Sequence, residues 1–339
     1  RGNVSKLLHV ALARPEIAVQ DAAVDAIEAW KDDEQVAHAY VRRALDTWTT
    51  LNDDMQRAAA KVMGVVPVHP EEQSALLCAC LDRQAPFSSK LRVETRCAAA
   101  ASLARLCVQP TEVVRVLQQG LHDMTTAHRG DVGSWVRLAC MDSLGHVFCD
   151  WDVDVPALES AWVDMVGMLM ERIDAVRVKA GHIVRRVADI HATALPNGES
   201  ILAVVAEPEE LRNAPYAFSV LVPLMSLERY RASLLYTLSR TIGSRSEMAL
   251  REAGQALVDW ALTVPDECVH DILVLLHHRA QSHARENRVF VPILQTILLL
   301  LDWDVHKRKS EDVNRMYVIR ARAEGREGVD FWIPGGLLT

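Results

Sequence analysis

The sequence predicts an all-α chain built as an α-solenoid of HEAT- or armadillo-like helical repeats, on three observations. Half of the 339 residues are hydrophobic but only 5% are aromatic. The apolar positions are mainly Ala, Leu and Val, which suit close helix contacts better than a sheet interior. A polar-then-small pattern also recurs, over residues 20–27, 56–63, 96–103, 137–144 and 177–184, beginning at Gln20, Gln56, Arg96, Arg137 and Arg177. These first positions step by 36, 40, 41 and 40 residues, and a helical period of about 40 marks stacked helix pairs. Third, Pro15, Pro67, Pro70, Pro110 and Pro156 fall at turns or first helical positions in that register, where a missing N–H costs little.

Each copy has the same logic. A small residue three positions after the polar one (Ala23, Ala59, Ala99, Cys140, Ala180) lets two helices approach. A large aliphatic residue further along (Ile27, Met63, Leu103, Leu144, Val184) fills the layer between neighbours. The intervening first helices are expected over 33–50, 71–82, 111–122 and 155–173. The period weakens after Ala192, where Pro196-Asn197-Gly198 and Glu207-Pro208-Glu209-Glu210 mark loops, and long helices resume over 230–242, 247–262, 267–282 and 287–302. Residues 1–302 therefore read as the helical-repeat domain and 303–339 as a charged tail without sustained periodicity.

The organising stretch is a long loop that turns into a buried helix. Gly130 and Gly133 permit backbone angles that a side chain forbids, and Ser134 is placed to cap the first helical turn. Asp131 is a second cap candidate, with Arg129 and Arg137 expected to pair with nearby acids. Behind it, Val136, Ala139, Cys140, Ser143 and Leu144 form one small apolar face. Such a loop between otherwise tightly joined helices is a candidate partner contact.

The formal charge of −8 (37 Lys and Arg, 45 Asp and Glu) argues against nucleic acid or an anionic membrane as principal partner. Nearly all of it sits in the first half: residues 1–170 hold 16 bases and 23 acids, residues 171–339 hold 21 and 22. Seven cysteines, an odd number without a CxxC pair, read as small buried hydrophobes in a reducing cytosol. The chain lacks a signal peptide and an initiating Met, which reads as a fragment. The apolar run 290–303 contains Pro292, Gln295 and Asp302 and is shorter than the roughly 20 residues that span a bilayer.

Candidate chemistry is sparse. Arg129-Gly130-Asp131 is an adhesion tripeptide, but here it reads as a helix-entry loop. Asp150, Asp152 and Asp154 alternate like the start of a calcium loop, yet Val155 and Ala161 stand where Gly and Glu are needed. His270, His277, His278 and His283 lack the spacing and thiolate or carboxylate help that zinc wants. Cys78 and Cys80 point to different sides of a helix. With no phosphate loop, nucleophile elbow or kinase signature, a non-enzyme without cofactor or metal is expected.

Arg129-Gly130-Asp131-Val132-Gly133-Ser134-Trp135-Val136-Arg137 resembles a motif of the C-terminal domain of the tubulin-folding cofactor D family. Two weaker stretches resemble it also. One is Tyr216-Ala217-Phe218-Ser219-Val220-Leu221-Val222-Pro223-Leu224, continuing through Thr241-Ile242-Gly243 to Leu250-Arg251; the other is Asn287-Arg288-Val289-Phe290-Val291-Pro292-Ile293-Leu294-Gln295-Thr296. Together they span roughly residues 90–302.

The resemblance implies a helical-repeat chaperone of the cytoplasm and microtubule cytoskeleton. It would bind β-tubulin and, with cofactors C and E, assemble or dissociate the αβ-tubulin heterodimer, supporting stimulation of tubulin GTP hydrolysis. An ADP-ribosylation-factor-like small GTPase is a further implied partner. The long N-terminal repeat region of that family is not in this chain. On this reading inner helices present a concave surface, and the partner-binding residues are Arg129, Gly130, Asp131, Val132, Gly133, Ser134, Trp135 and Arg137. Because tubulin is acidic, Arg177, Lys179, Arg185 and Arg186 join them. The alternative is a generic HEAT-repeat scaffold for another protein, which has no reason to carry the loop motif. An enzyme with an unrecognised site would need polar residues converging from separate helices.

Overall fold

The computed structural model describes residues 2–29, 34–243 and 247–302. The segment expected as a charged tail, 303–339, lies outside the described residues. Among them are sixteen α-helices and no strand, an all-α helical-repeat architecture. The chain divides into two compact units: unit 1 holds residues 1–162 and 186–198, unit 2 residues 163–185 and 199–339.

Unit 1 is an array of helix pairs. The first helices are α1 (Gly2–Leu12), α3 (Glu34–Thr47), α5 (Pro70–Leu81) and α7 (Pro110–Gly120); the second are α2 (Ile17–Ala29), α4 (Asp53–Val65), α6 (Val93–Leu106) and α8 (Gly133–Asp150). Each first helix packs on its successor, and α2, α4, α6 and α8 lie side by side as one layer. Pro70 and Pro110 each occupy the first turn of a helix, where no hydrogen bond is lost.

The period read from the sequence is the packing of that layer. Ala59, Ala99 and Cys140 are fully buried, and so are Met63, Leu103 and Leu144 at the large positions. Small residues bring the backbones close enough for hydroxyls to cross: Ser102 donates to the Ala60 carbonyl and Ser143 to the Ala100 carbonyl, both at 2.8 Å. These two bonds, one repeat apart, fix the register of α4, α6 and α8 while satisfying a buried hydroxyl.

In the first two copies the polar position ties down the preceding loop. Gln20 donates to the Leu12 and Arg14 carbonyls, and Gln56 donates to that of Trp48. Arg57 beside it donates to Gln20 Oε1 at 2.7 Å and to the Pro15 carbonyl. A buried loop carbonyl must find a donor, and a long polar side chain rooted in a helix supplies it.

Unit 2 contains the end of α9 (Glu159–Gly167) from residue 163, most of α10 (Asp174–His191), then α11 (Gly198–Val204) from residue 199, α12 (Ala214–Leu221), α13 (Glu228–Ile242), α14 (Glu247–Thr263), α15 (Asp266–Ser282) and α16 (Asn287–Asp302). The four long helices expected from residue 230 onward are present, and α13 packs against α14, α15 and α16. Arg177 is 1% exposed and donates to the Leu211 carbonyl at 2.6 Å and the Glu171 carbonyl at 2.7 Å. Arg231 on α13 repeats the device, donating to the Met225 carbonyl six residues back. Two stretches that carry the resemblance meet here: a Cβ on Gly243 would lie 2.4 Å from Cβ of Pro292, so the end of α13 approaches α16 only because position 243 lacks a side chain.

Candidate functional site

The loop from Leu121 to Val132 is held from both ends. Asp123, 9% exposed, forms an ion pair with Arg96 of α6 and accepts the Thr125 amide at 2.8 Å. Arg96 also donates to Thr125 Oγ1. Ala127 and Gly130 exchange two backbone hydrogen bonds of 2.9 Å, making a tight turn with His128 and Arg129 at its tip. Gly130 closes it at φ +94°, in the left-handed region.

Gly133 starts α8 where nothing larger fits, since a Cβ there would lie 2.7 Å from the Asp123 carbonyl oxygen and 2.8 Å from the Thr125 nitrogen. Asp131 is the residue that caps α8, its Oδ1 accepting the Ser134 amide at 3.2 Å. The cap expected of Ser134 is therefore not what forms: Ser134 sits inside the helix and its hydroxyl donates back to the Asp131 carbonyl at 2.6 Å. Arg137 is fully buried, with both terminal nitrogens on the Asp131 carboxylate at 3.0 and 3.3 Å and one on the Asp123 carbonyl at 2.6 Å. A bidentate pair out of water is strongly directional. It locks the loop to the helix that follows it.

The nine-residue motif thus divides in two. Asp131, Val132, Gly133, Ser134 and Arg137 face inward and hold the loop's shape. Arg129 and Trp135 face outward. The Arg129 guanidinium lies 4.8 Å from the centre of the Trp135 ring and donates to Glu94 Oε1 at 3.0 Å. Trp135 is 39% exposed, an aromatic ledge with a cation on its face. Partial burial pushes the Glu94 carboxyl up, but the Arg129 hydrogen bond, a backbone hydrogen bond and the charges of Arg129 and Arg57 together hold it below its ordinary value.

That ledge borders a groove of about 490 Å³ in the layer of second helices. Its walls include Ile17 and Asp21 of α2, Lys61 of α4, and Ala98, Ala101 and Arg105 of α6. Cys97 is there too, with burial pushing its thiol up to about 12, so it stays protonated and part of the wall. Sequence reasoning missed these wall residues, although they lie in its own repeat rows: Asp21, Arg57 and Cys97 stand one place after the polar position, and Asp25, Lys61 and Ala101 one turn on.

The remaining basic residues named from the sequence are not part of this groove. Arg177 and Arg137 are internal and offer no charge to a surface; the carbonyls and the carboxylate they bind explain why the chain tolerates them there. Burial pulls the Arg177 pKa below the usual arginine value, and its guanidinium lies 5.2 Å from the Phe218 ring. Lys179 is half-buried, while Arg185 is exposed and donates to the Ala206 carbonyl. Arg186 is exposed and pairs with Asp150 at 3.2 Å.

Residues 159–319 match the family model described as tubulin folding cofactor D C terminal. That stretch of the chain is similar to the C-terminal domain of tubulin folding cofactor D. The match begins after the Arg129–Arg137 loop, includes both weaker stretches of the resemblance, and runs past the last described helix. The matched stretch takes in the close contact of Gly243 with Pro292 and the buried Arg177 and Arg231. No solved structure matches the chain. Among the described residues no helix is long and apolar enough to cross a membrane.

Proposed function

We propose that this chain is a tubulin-folding chaperone module that binds β-tubulin and helps assemble or dissociate the αβ-tubulin heterodimer together with cofactors C and E. The observation that carries the reading is the cofactor D family match over 159–319. In the same reading the module supports stimulation of tubulin GTP hydrolysis, engages an ADP-ribosylation-factor-like small GTPase, and works in the cytoplasm at the microtubule cytoskeleton. It contributes surfaces rather than a reaction of its own.

The outward half of the loop motif is the contact we assign to tubulin. Trp135 offers exposed aromatic area and Arg129 a cation held in place by Glu94 and the ring. Aromatic and arginine side chains of that kind supply most of the energy in protein interfaces. The test is size-exclusion chromatography of the purified chain with αβ-tubulin, alone and with cofactors C and E. Co-elution supports the reading. Separate elution of the folded chain under both conditions would end it.

A further inference from the structure

Two ion pairs of the unit 1 groove set acids of α2 against bases of α4 and α6, and a third joins Arg129 of the loop to Glu94 of α6. α2 supplies Asp21, Asp25 and Glu28, while Lys61, Arg105 and Arg129 come from α4, α6 and the loop. Lys61 pairs with Asp21, Arg129 with Glu94, and Arg105 reaches Glu28 at 3.0 Å. Arg105 and Glu28 belong to helices that flank α4 in the layer, so α4 is the floor and its neighbours are the walls. The groove is small and apolar at Val65 of the floor and at Ala98 and Ala101 of the α6 wall, with Ile17 and Trp135 exposed on its rims. From Glu94 to Arg105 it follows eleven residue steps of α6, about 16 Å or three helical turns.

We propose that this groove seats an amphipathic α-helix of about three turns presented by a partner protein. The helix lays a stripe of small and apolar residues on the floor, with a basic edge toward Asp21, Asp25 and Glu28 and an acidic edge toward Arg105 and Arg129. Charge complementarity sets the edges. The walls set the backbone: they are helices, whose N–H and C=O groups are already paired within themselves, and the groove's cations are already engaged by carboxylates. An extended segment would lie there with its own backbone groups unmet, whereas a helix brings them satisfied. Binding exchanges the exposed Arg105–Glu28 pair for pairs to the incoming helix, which costs little because exposed pairs are weak.

The inference does not depend on which protein supplies the helix, and its test contains no tubulin. The probe is a fluorescein-labelled, side-chain-stapled 14-residue peptide with an Ala/Leu face, a Lys edge and a Glu edge, titrated with the whole chain by fluorescence anisotropy. Its partner is the unstapled peptide of the same pattern with two central prolines. The stapled helix is expected to bind with a Kd on the order of tens of micromolar, and the proline peptide at least about tenfold more weakly. Ala101→Trp obstructs the groove from an exposed position on its α6 wall and should remove helix binding with Tm unchanged. Equal binding of the two peptides, no binding of the stapled helix at about 1 mM, or full binding to a folded Ala101→Trp chain overturns the proposal. The proline comparison needs no variant and decides the matter if Ala101→Trp is unstable. A chain that co-elutes with tubulin and ignores the stapled helix keeps the tubulin reading and loses this one; the reverse pattern does the opposite.

Discussion

Replacing Asp131 by Ala should cost unit 1 far more than its position in a loop would lead one to expect. The carboxylate is 11% exposed and its Arg137 partner is fully buried. The substitution leaves a fully buried guanidinium without its carboxylate. Removing one partner of a buried pair costs about 3–5 kcal/mol, and the lost cap on the Ser134 amide belongs to the same carboxylate, so it is counted within that figure. At 1.36 kcal/mol per decade, amide-exchange protection in α6 and α8 should fall by about two to nearly four decades when those helices exchange through opening of unit 1. Hydrogen-exchange mass spectrometry on the two helices reads this directly. Arg129→Ala is the contrast, since it removes an exposed pair and a cation–π contact together worth about 1 kcal/mol, less than one decade. If Asp131→Ala and Arg129→Ala reduce protection equally, the division of the motif into an internal and an outward half is wrong.

Other consequences are as specific. Gly133→Ala places a methyl group 2.7 Å from the Asp123 carbonyl oxygen and should destabilise unit 1 by about 1–3 kcal/mol, seen as a lower thermal midpoint. Gly243→Ala should do the same to unit 2 through Pro292 while leaving α6 and α8 protection intact. The Glu94 carboxyl sits below its ordinary value of 4.5 in the folded chain. The stability it contributes is therefore complete above that value and is lost as the pH falls through the lower folded one. Trp135 fluorescence should report release of Arg129 below pH 4.5, and Glu94→Gln should flatten that titration.

Much of the fold was legible because a solenoid writes its period into the chain. The small and large columns at Ala59, Ala99, Cys140 and Met63, Leu103, Leu144 are buried as their spacing required. The period was lost after Ala192 for a physical reason: Arg231 repeats the loop-tying role of Arg177, but the short α11 and α12 stand between, stretching the step to 54 residues. The site was half legible. Charge alone made Arg137 and Arg177 look like surface cations, whereas burial depends on loop carbonyls and a carboxylate that sequence does not place. The groove stayed hidden because its residues are ordinary ones, Asp21, Lys61, Ala101 and Arg105, that acquire meaning only when three helices bring them together.

The most direct test of the account is the affinity of immobilised αβ-tubulin for the wild-type chain and for Trp135→Ala, each at matched folded fraction. We expect at least about a tenfold loss for Trp135→Ala, the size typical of an aromatic anchor, with the thermal midpoint unchanged. Unaltered affinity for a folded Trp135→Ala chain would contradict the assignment of tubulin binding to the outward half of the loop.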